Sequence, residues 1–159
     1  MPALPDLRRV ANRALAASRL ELAFAARAWL LAPLVEGALA GLGVGWTLRA
    51  VAAVPRRVSR GRPPTAVAPR LDLVDGARWV DRAYALHALR GRCLPRAIVQ
   101  HVLHRIDGTP SRLVIGVRSA TSAIDAHAWV TDPARPGAEE FSAILVVDDD
   151  GVHAPGVRP

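Results

Sequence analysis

Arg92-Cys93-Leu94-Pro95-Arg96-Ala97, a helical run, Arg112-Leu113-Val114-Ile115-Gly116-Val117-Arg118, a loop, and Asp125-Ala126-His127-Ala128-Trp129-Val130 form the stretch whose reading decides the fold. It holds the only cysteine of the 159 residues. A proline in the first turn of a helix has no amide hydrogen to lose and a preset φ, so Pro95 predicts a helix that begins at Cys93. At that place the unpaired N–H groups and the positive end of the helix dipole stabilise a thiolate, and Arg92 and Arg96 add formal charge. The helix is expected to continue through Ile98, His101, Val102 and His104 to Arg105, where Asp107-Gly108-Thr109-Pro110 stops it. The run 112–118, branched residues bounded by charges, reads as a buried strand. In 126–130 alternation sets Ala126, Ala128 and Val130 on one face and His127 and Trp129 on the other. A thiolate nucleophile needs a group to protonate the departing amine, and histidine serves best near neutral pH. Cys93 is therefore the candidate nucleophile and His127 the candidate base.

A helix with the nucleophile at its N-terminus, packed on a sheet whose next strand presents the imidazole, is the core of papain-like and transglutaminase-like enzymes. The expected fold class is α+β, with N-terminal helices packed on a small antiparallel sheet. Taken together, Cys93 to Ala97, His104 to Arg118 and Ala126 to Val130 resemble the B2 leader peptidases of lasso-peptide biosynthesis, a transglutaminase-like cysteine protease family. The likeness is close from Leu71 to Val130 and loose before it. It implies that Cys93 is the nucleophile, that His127 is the general base, and that the substrate is a ribosomal precursor peptide cut between leader and core. It also implies two partners, a small leader-binding protein and an ATP-dependent macrocyclase. No cofactor and no metal are expected.

The resemblance further implies a third member, an aspartate about a dozen residues beyond the histidine that orients the imidazole as in other triads. Here position 139 is a glutamate, and the expected Asp-Gly hairpin is replaced by Thr131-Asp132-Pro133-Ala134-Arg135-Pro136-Gly137. Spacing from His127 selects Glu139. A turn centred on Pro133-Ala134 would instead pair His127 with Glu140. Asp132, five residues along the strand, is too far to reach back. A charged strand start with no catalytic part is the plain alternative for both glutamates.

Apolar residues make up 51% of the chain and aromatics 4%, so the core is built from Ala, Leu and Val. The 21 cationic residues are all arginine and outnumber 14 acidic ones, giving +7. The arginines are dispersed with no aromatic-interleaved stripe, which argues against nucleic-acid binding. A lone cysteine excludes an intramolecular disulfide and suits a reducing, cytoplasmic setting. Arg8, Arg9, Arg13 and Arg19 precede the first apolar run and no clear cleavage site follows, unlike a signal peptide.

Four segments are expected: an apolar helical region over 1–54, a Pro/Arg-rich linker over 55–70, a catalytic core over 71–147 and a flexible tail over 148–159. Between Ala28 and Leu48 only Glu36 is charged, nearly the length of a bilayer-spanning helix. Pro33, Glu36 and glycines 37, 41, 43 and 45 argue instead for two helices with a bend, buried over the sheet. A membrane-associated role is the less favoured reading of this segment. His101 and His104, three apart on one helix, lack further ligands at zinc spacing and read as core or solvent-facing histidines. Besides leader removal, two functions suit the pattern: another acyl transfer on the same residues, and a non-catalytic binding or membrane-associated protein that keeps the fold.

Overall fold

The computed structural model describes residues 18–55, 71–87, 92–119, 124–132 and 141–155. Ser18 opens the first helix with a reciprocal cap: its hydroxyl accepts from the Glu21 amide at 3.3 Å, and the Ser18 amide donates to the Glu21 carboxylate at 2.7 Å. Helix α1 spans Arg19–Ala52, α2 Leu73–Leu86 and α3 Cys93–Asp107. Strands β1 (Arg112–Ser119), β2 (Ile124–Thr131), β3 (Ser142–Asp148) and β4 (Gly151–His153) follow. They form one antiparallel sheet in the order β2-β1-β3-β4. Residues 56–70, most of the expected linker, lie outside the described residues.

The bend expected in α1 falls at Gly43, whose φ of 75° and ψ of 170° interrupt the helix, and not at Pro33. Pro33 has no amide hydrogen, so the Trp29 carbonyl four residues earlier loses its helical donor. His87, the C-cap of α2, supplies one: its Nε2 donates to the Trp29 carbonyl at 2.6 Å. Its ring also stacks on the Trp29 indole, centroids 4.6 Å apart. A carbonyl only accepts, so the bond places the His87 proton on Nε2.

One face of α1 enters the core through Phe24, Ala28, Ala32 and Val35, which pack with Val80 and Tyr84 of α2 and with Ile98 and Leu103 of α3. The sheet adds Leu113, Ala128 and Val147. The burial expected of this region over the sheet is found on one side only. Only 17% of the helix's most apolar window is buried, and Leu34 and Trp46 stand 67% and 66% exposed. Hydropathy registers an apolar side chain but not which neighbour covers it.

Polar links fix the helices to one another. The Arg27 guanidinium makes a bidentate pair with Asp107, at 2.6 and 3.0 Å, tying α1 to the end of α3. Gly108, at φ 74°, ends α3 in the left-handed conformation, with the Thr109 amide donating to the His104 carbonyl. The buried Arg105 donates to the Ala52 and Val54 carbonyls at the C-terminus of α1 and pairs with Asp149 at 3.1 Å.

The expected flexible tail is also corrected, because through His153 it is turn and strand. Asp148 accepts from the Asp150 amide at 3.0 Å, from His153 Nε2 at 3.1 Å and from Arg112 at 3.2 Å. Gly151, at φ 114°, reverses the chain into β4. The basic partners that hold Asp148 come from β1 (Arg112) and from β4 itself (His153).

Gly76 of α2 touches the ring of His104, where an added Cβ would stand 2.5 Å from Nε2 and 2.9 Å from Cε1. In an open helix Gly→Ala gains about 1 kcal/mol. Against a fully buried ring, overpacking of roughly 1–3 kcal/mol should win. Gly76→Ala is therefore expected to lower the urea midpoint, and a higher midpoint would mean that the His104 ring gives way.

Candidate active site

Cys93 is the first residue of α3. Arg92, the N-cap, contributes no side-chain cap and Pro95 has no amide hydrogen. The Cys93 and Leu94 amides therefore stand at the helix start with no intrahelical acceptor, next to the thiol. The thiol is half-buried, and its hydrogen bond goes to the main-chain carbonyl of Ala126, Sγ to O at 4.0 Å. Because β2 is an edge strand, this contact orients its backbone. In a strand the N–H and C=O of one residue point to the same side, and alternate residues share that side. With Ala126 turned out of the sheet towards the thiol, the N–H and C=O of Ala128 are turned out as well.

A cleft of about 530 Å³ opens here. One wall is Val74, Ala77 and Arg78 of α2, the other is His127 to Val130 of β2, and Cys93 and Gln100 of α3 lie between. Gln100 donates to the Leu73 carbonyl at 2.7 Å, holding α3 against the start of α2. Arg96, whose charge was expected beside the thiol, pairs with Asp81 at 3.2 Å and lies over the Tyr84 ring, 5.5 Å from its centroid.

His127 is exposed on the face that alternation predicted for it, with Trp129. The two rings stack 5.9 Å apart, and Phe141 lies 5.3 Å from the imidazole. Across the ladder His127 pairs with Gly116. A Cβ on Gly116 would stand 2.8 Å from Trp129 Cη2 and 3.0 Å from Phe141 Cβ, so glycine is what lets the indole lie across β1. Ala128 and Val130 turn the other way, into the core. Cys93 and His127 thus border one cleft, but among the described residues the thiol bonds to Ala126 and the imidazole rests on Trp129 and Phe141.

Glu139 and Glu140 lie outside the described residues. Asp132 follows the end of β2, five residues from His127, or roughly 17 Å along the strand. Asp125 shares the face of His127 two residues before it and pairs with Arg118 at 3.0 Å. Alternation alone could have placed this carboxylate beside the imidazole in the sequence.

His101 and His104 are fully buried. His101 Nδ1 lies 3.0 Å from the Ser111 hydroxyl, and the His104 ring packs 5.5 Å from that of Phe24. Burial, helped by Arg105, pushes His101 down to about 3. Burial also pushes His104 down to about 4.

The sequence model of the transglutaminase-like superfamily matches residues 38–146, from within α1 into β3. The chain belongs to the transglutaminase-like superfamily. No curated protein and no solved structure gave a match. The matched span of this transglutaminase-like domain includes Cys93 and His127, and the expected architecture is the one found, helices packed on a small antiparallel sheet. Membership is compatible with cysteine-peptidase or acyl-transfer chemistry.

Proposed function

We propose that this transglutaminase-like domain is a cysteine peptidase that removes the leader from a ribosomally made lasso-peptide precursor. The observation that carries the peptidase reading is the thiol at an uncapped helix start, facing the free edge of the strand that bears His127. The finer reading rests on the likeness of Leu71 to Val130 to the B2 leader peptidases. An extended chain in the cleft would pair with the outward N–H and C=O of Ala128, as peptides add to sheet edges. The exposed imidazole turns off Trp129 by a side-chain rotation, a motion of picoseconds to nanoseconds for exposed residues. Catalytic hydrogen bonds commonly close only in the substrate complex.

In that complex the Cys93 thiol gives its proton to His127, and Sγ attacks the scissile carbonyl carbon. The Cys93 and Leu94 amides face the oxyanion, and the carbon–nitrogen bond breaks as His127 hands the proton to the leaving amine. Water, deprotonated by His127, then hydrolyses the thioester and frees the thiol. Glu139 is the proposed orienting acid. The proposed setting is cytoplasmic, with a small leader-binding protein that raises the local concentration of precursor and an ATP-dependent macrocyclase that takes the core.

Mass spectrometry of a lasso precursor incubated with the domain and its leader-binding partner tests this. The expected products are intact leader and core, formed faster with the partner than without it. A core carrying the mass of an added amine would assign the domain to acyl transfer instead. An unchanged precursor with both proteins present would sink the peptidase reading and favour a binding role.

A further inference from the structure

The outer face of α1 needs an occupant. Leu22, Trp29, Leu30, Leu34, Leu42 and Trp46 are all exposed, and no exposed position from Leu22 to Trp46 carries a charged side chain. From Leu22 to Leu42, before the break at Gly43, that is a strip roughly 30 Å long. A helix apolar all round is one whose two sides are both buried in its working state. Here α2 and α3 cover one side only.

The chemistry around the strip says what covers the other. Beyond its far end Arg49 lies over the Trp46 indole, 4.8 Å from the centroid, and is itself exposed. At its near end Arg82 lies over Trp79 at 4.3 Å. Between α1 and α2 these residues border a groove of about 470 Å³, lined by Trp29, Leu30, Trp79, Ala83 and Leu86, with Arg82 its one charged lining residue among those described. An apolar slot beside a guanidinium suits an acyl chain with a phosphate at its head. Tryptophan and arginine flanking an apolar stretch are the side chains that settle at the headgroup level of a bilayer. The whole chain, at +7, is drawn to anionic lipid.

We infer that the outer face of α1, with the groove it forms against α2, docks the domain on an anionic phospholipid surface. The helix lies in the plane of the interface and does not cross. Its inner side carries the Arg27–Asp107 ion pair and the core packing of Phe24 and Ala28, which a spanning helix would have to give up. The inference is independent of the catalytic reading, since Cys93 and His127 line a different cleft.

The test is co-sedimentation of the full chain with vesicles of phosphatidylglycerol and phosphatidylcholine in equal parts, beside vesicles of phosphatidylcholine alone. Tryptophan emission is followed in parallel. Binding to the mixed vesicles with a blue shift is expected, weakening as salt is raised. Leu34→Glu should lower the partition by more than roughly tenfold. Arg49→Glu should lower it by roughly tenfold on the anionic vesicles and scarcely on the neutral ones. Both positions are exposed, and unchanged circular dichroism and melting would show that each variant folds. Protein left in the supernatant with both vesicles overturns the inference, as does equal, salt-insensitive binding to both. Concentration-dependent dimerisation abolished by Leu34→Glu, without vesicle binding, would give the face to a second copy of the chain.

Discussion

Cys93→Ala should lower the rate of precursor cleavage by roughly a thousandfold or more, because removing one member of a nucleophile–base unit costs about as much as removing the unit. The fold should survive. The thiol is half-buried and its one hydrogen bond among the described residues, 4.0 Å to the Ala126 carbonyl, is a weak sulfur contact. His127→Ala should cost a comparable factor, and the double variant little more than either alone. Unfolding midpoints close to that of the unaltered protein would separate loss of chemistry from loss of structure. Cleavage by Cys93→Ala at the normal rate would end the cysteine-peptidase proposal, since the chain has no second thiol to take over.

The elements nearest the site were legible because each carries its own local signal. Pro95 announces the start of α3 and Gly108 its end, and both act through backbone geometry that no distant contact alters. Alternation separated His127 and Trp129 from Ala128 and Val130, and the rings and the core divide along that line. What stayed hidden depends on partners far along the chain. Arg96 was expected to serve the thiol, yet Asp81 of α2 holds it. Asp148 was read into a tail, yet Arg112 and His153 fix it. Gly116 interrupts a branched run, and only the Trp129 ring lying across it gives the reason. The exposure of α1 is the largest such case, since mean hydropathy describes an apolar helix without saying what lies against it.

Acid should begin to destabilise this domain below about pH 6, above the range in which carboxylates protonate. His101 and His104 are both fully buried, and each has a buried ring nitrogen with no hydrogen-bond partner among the described residues. Burial pushes their titration down to about 3 and about 4, while in the unfolded chain they take up protons near 6.5. A group whose folded value is depressed lends stability above its unfolded value and loses it as pH falls. Below about pH 6 the unfolded chain therefore binds two more protons than the folded one, and stability should fall on the order of 2–3 kcal/mol per pH unit. By pH 4.5 that is comparable to the whole stability of a domain this size. His153 works the other way, raised by the Ala154 carbonyl and by Asp148, so its contribution is complete below 6.5 and cannot produce the loss. Urea midpoints at pH 7.5, 6 and 5, above the carboxylate range, measure the effect. His104→Leu removes one titrating ring and its unpartnered nitrogens while keeping an apolar side chain against Phe24 and Gly76, so it should about halve the slope. A midpoint that stays level from pH 7.5 to 5, or a His104→Leu slope equal to that of the unaltered protein, would mean that water or a partner reaches these rings.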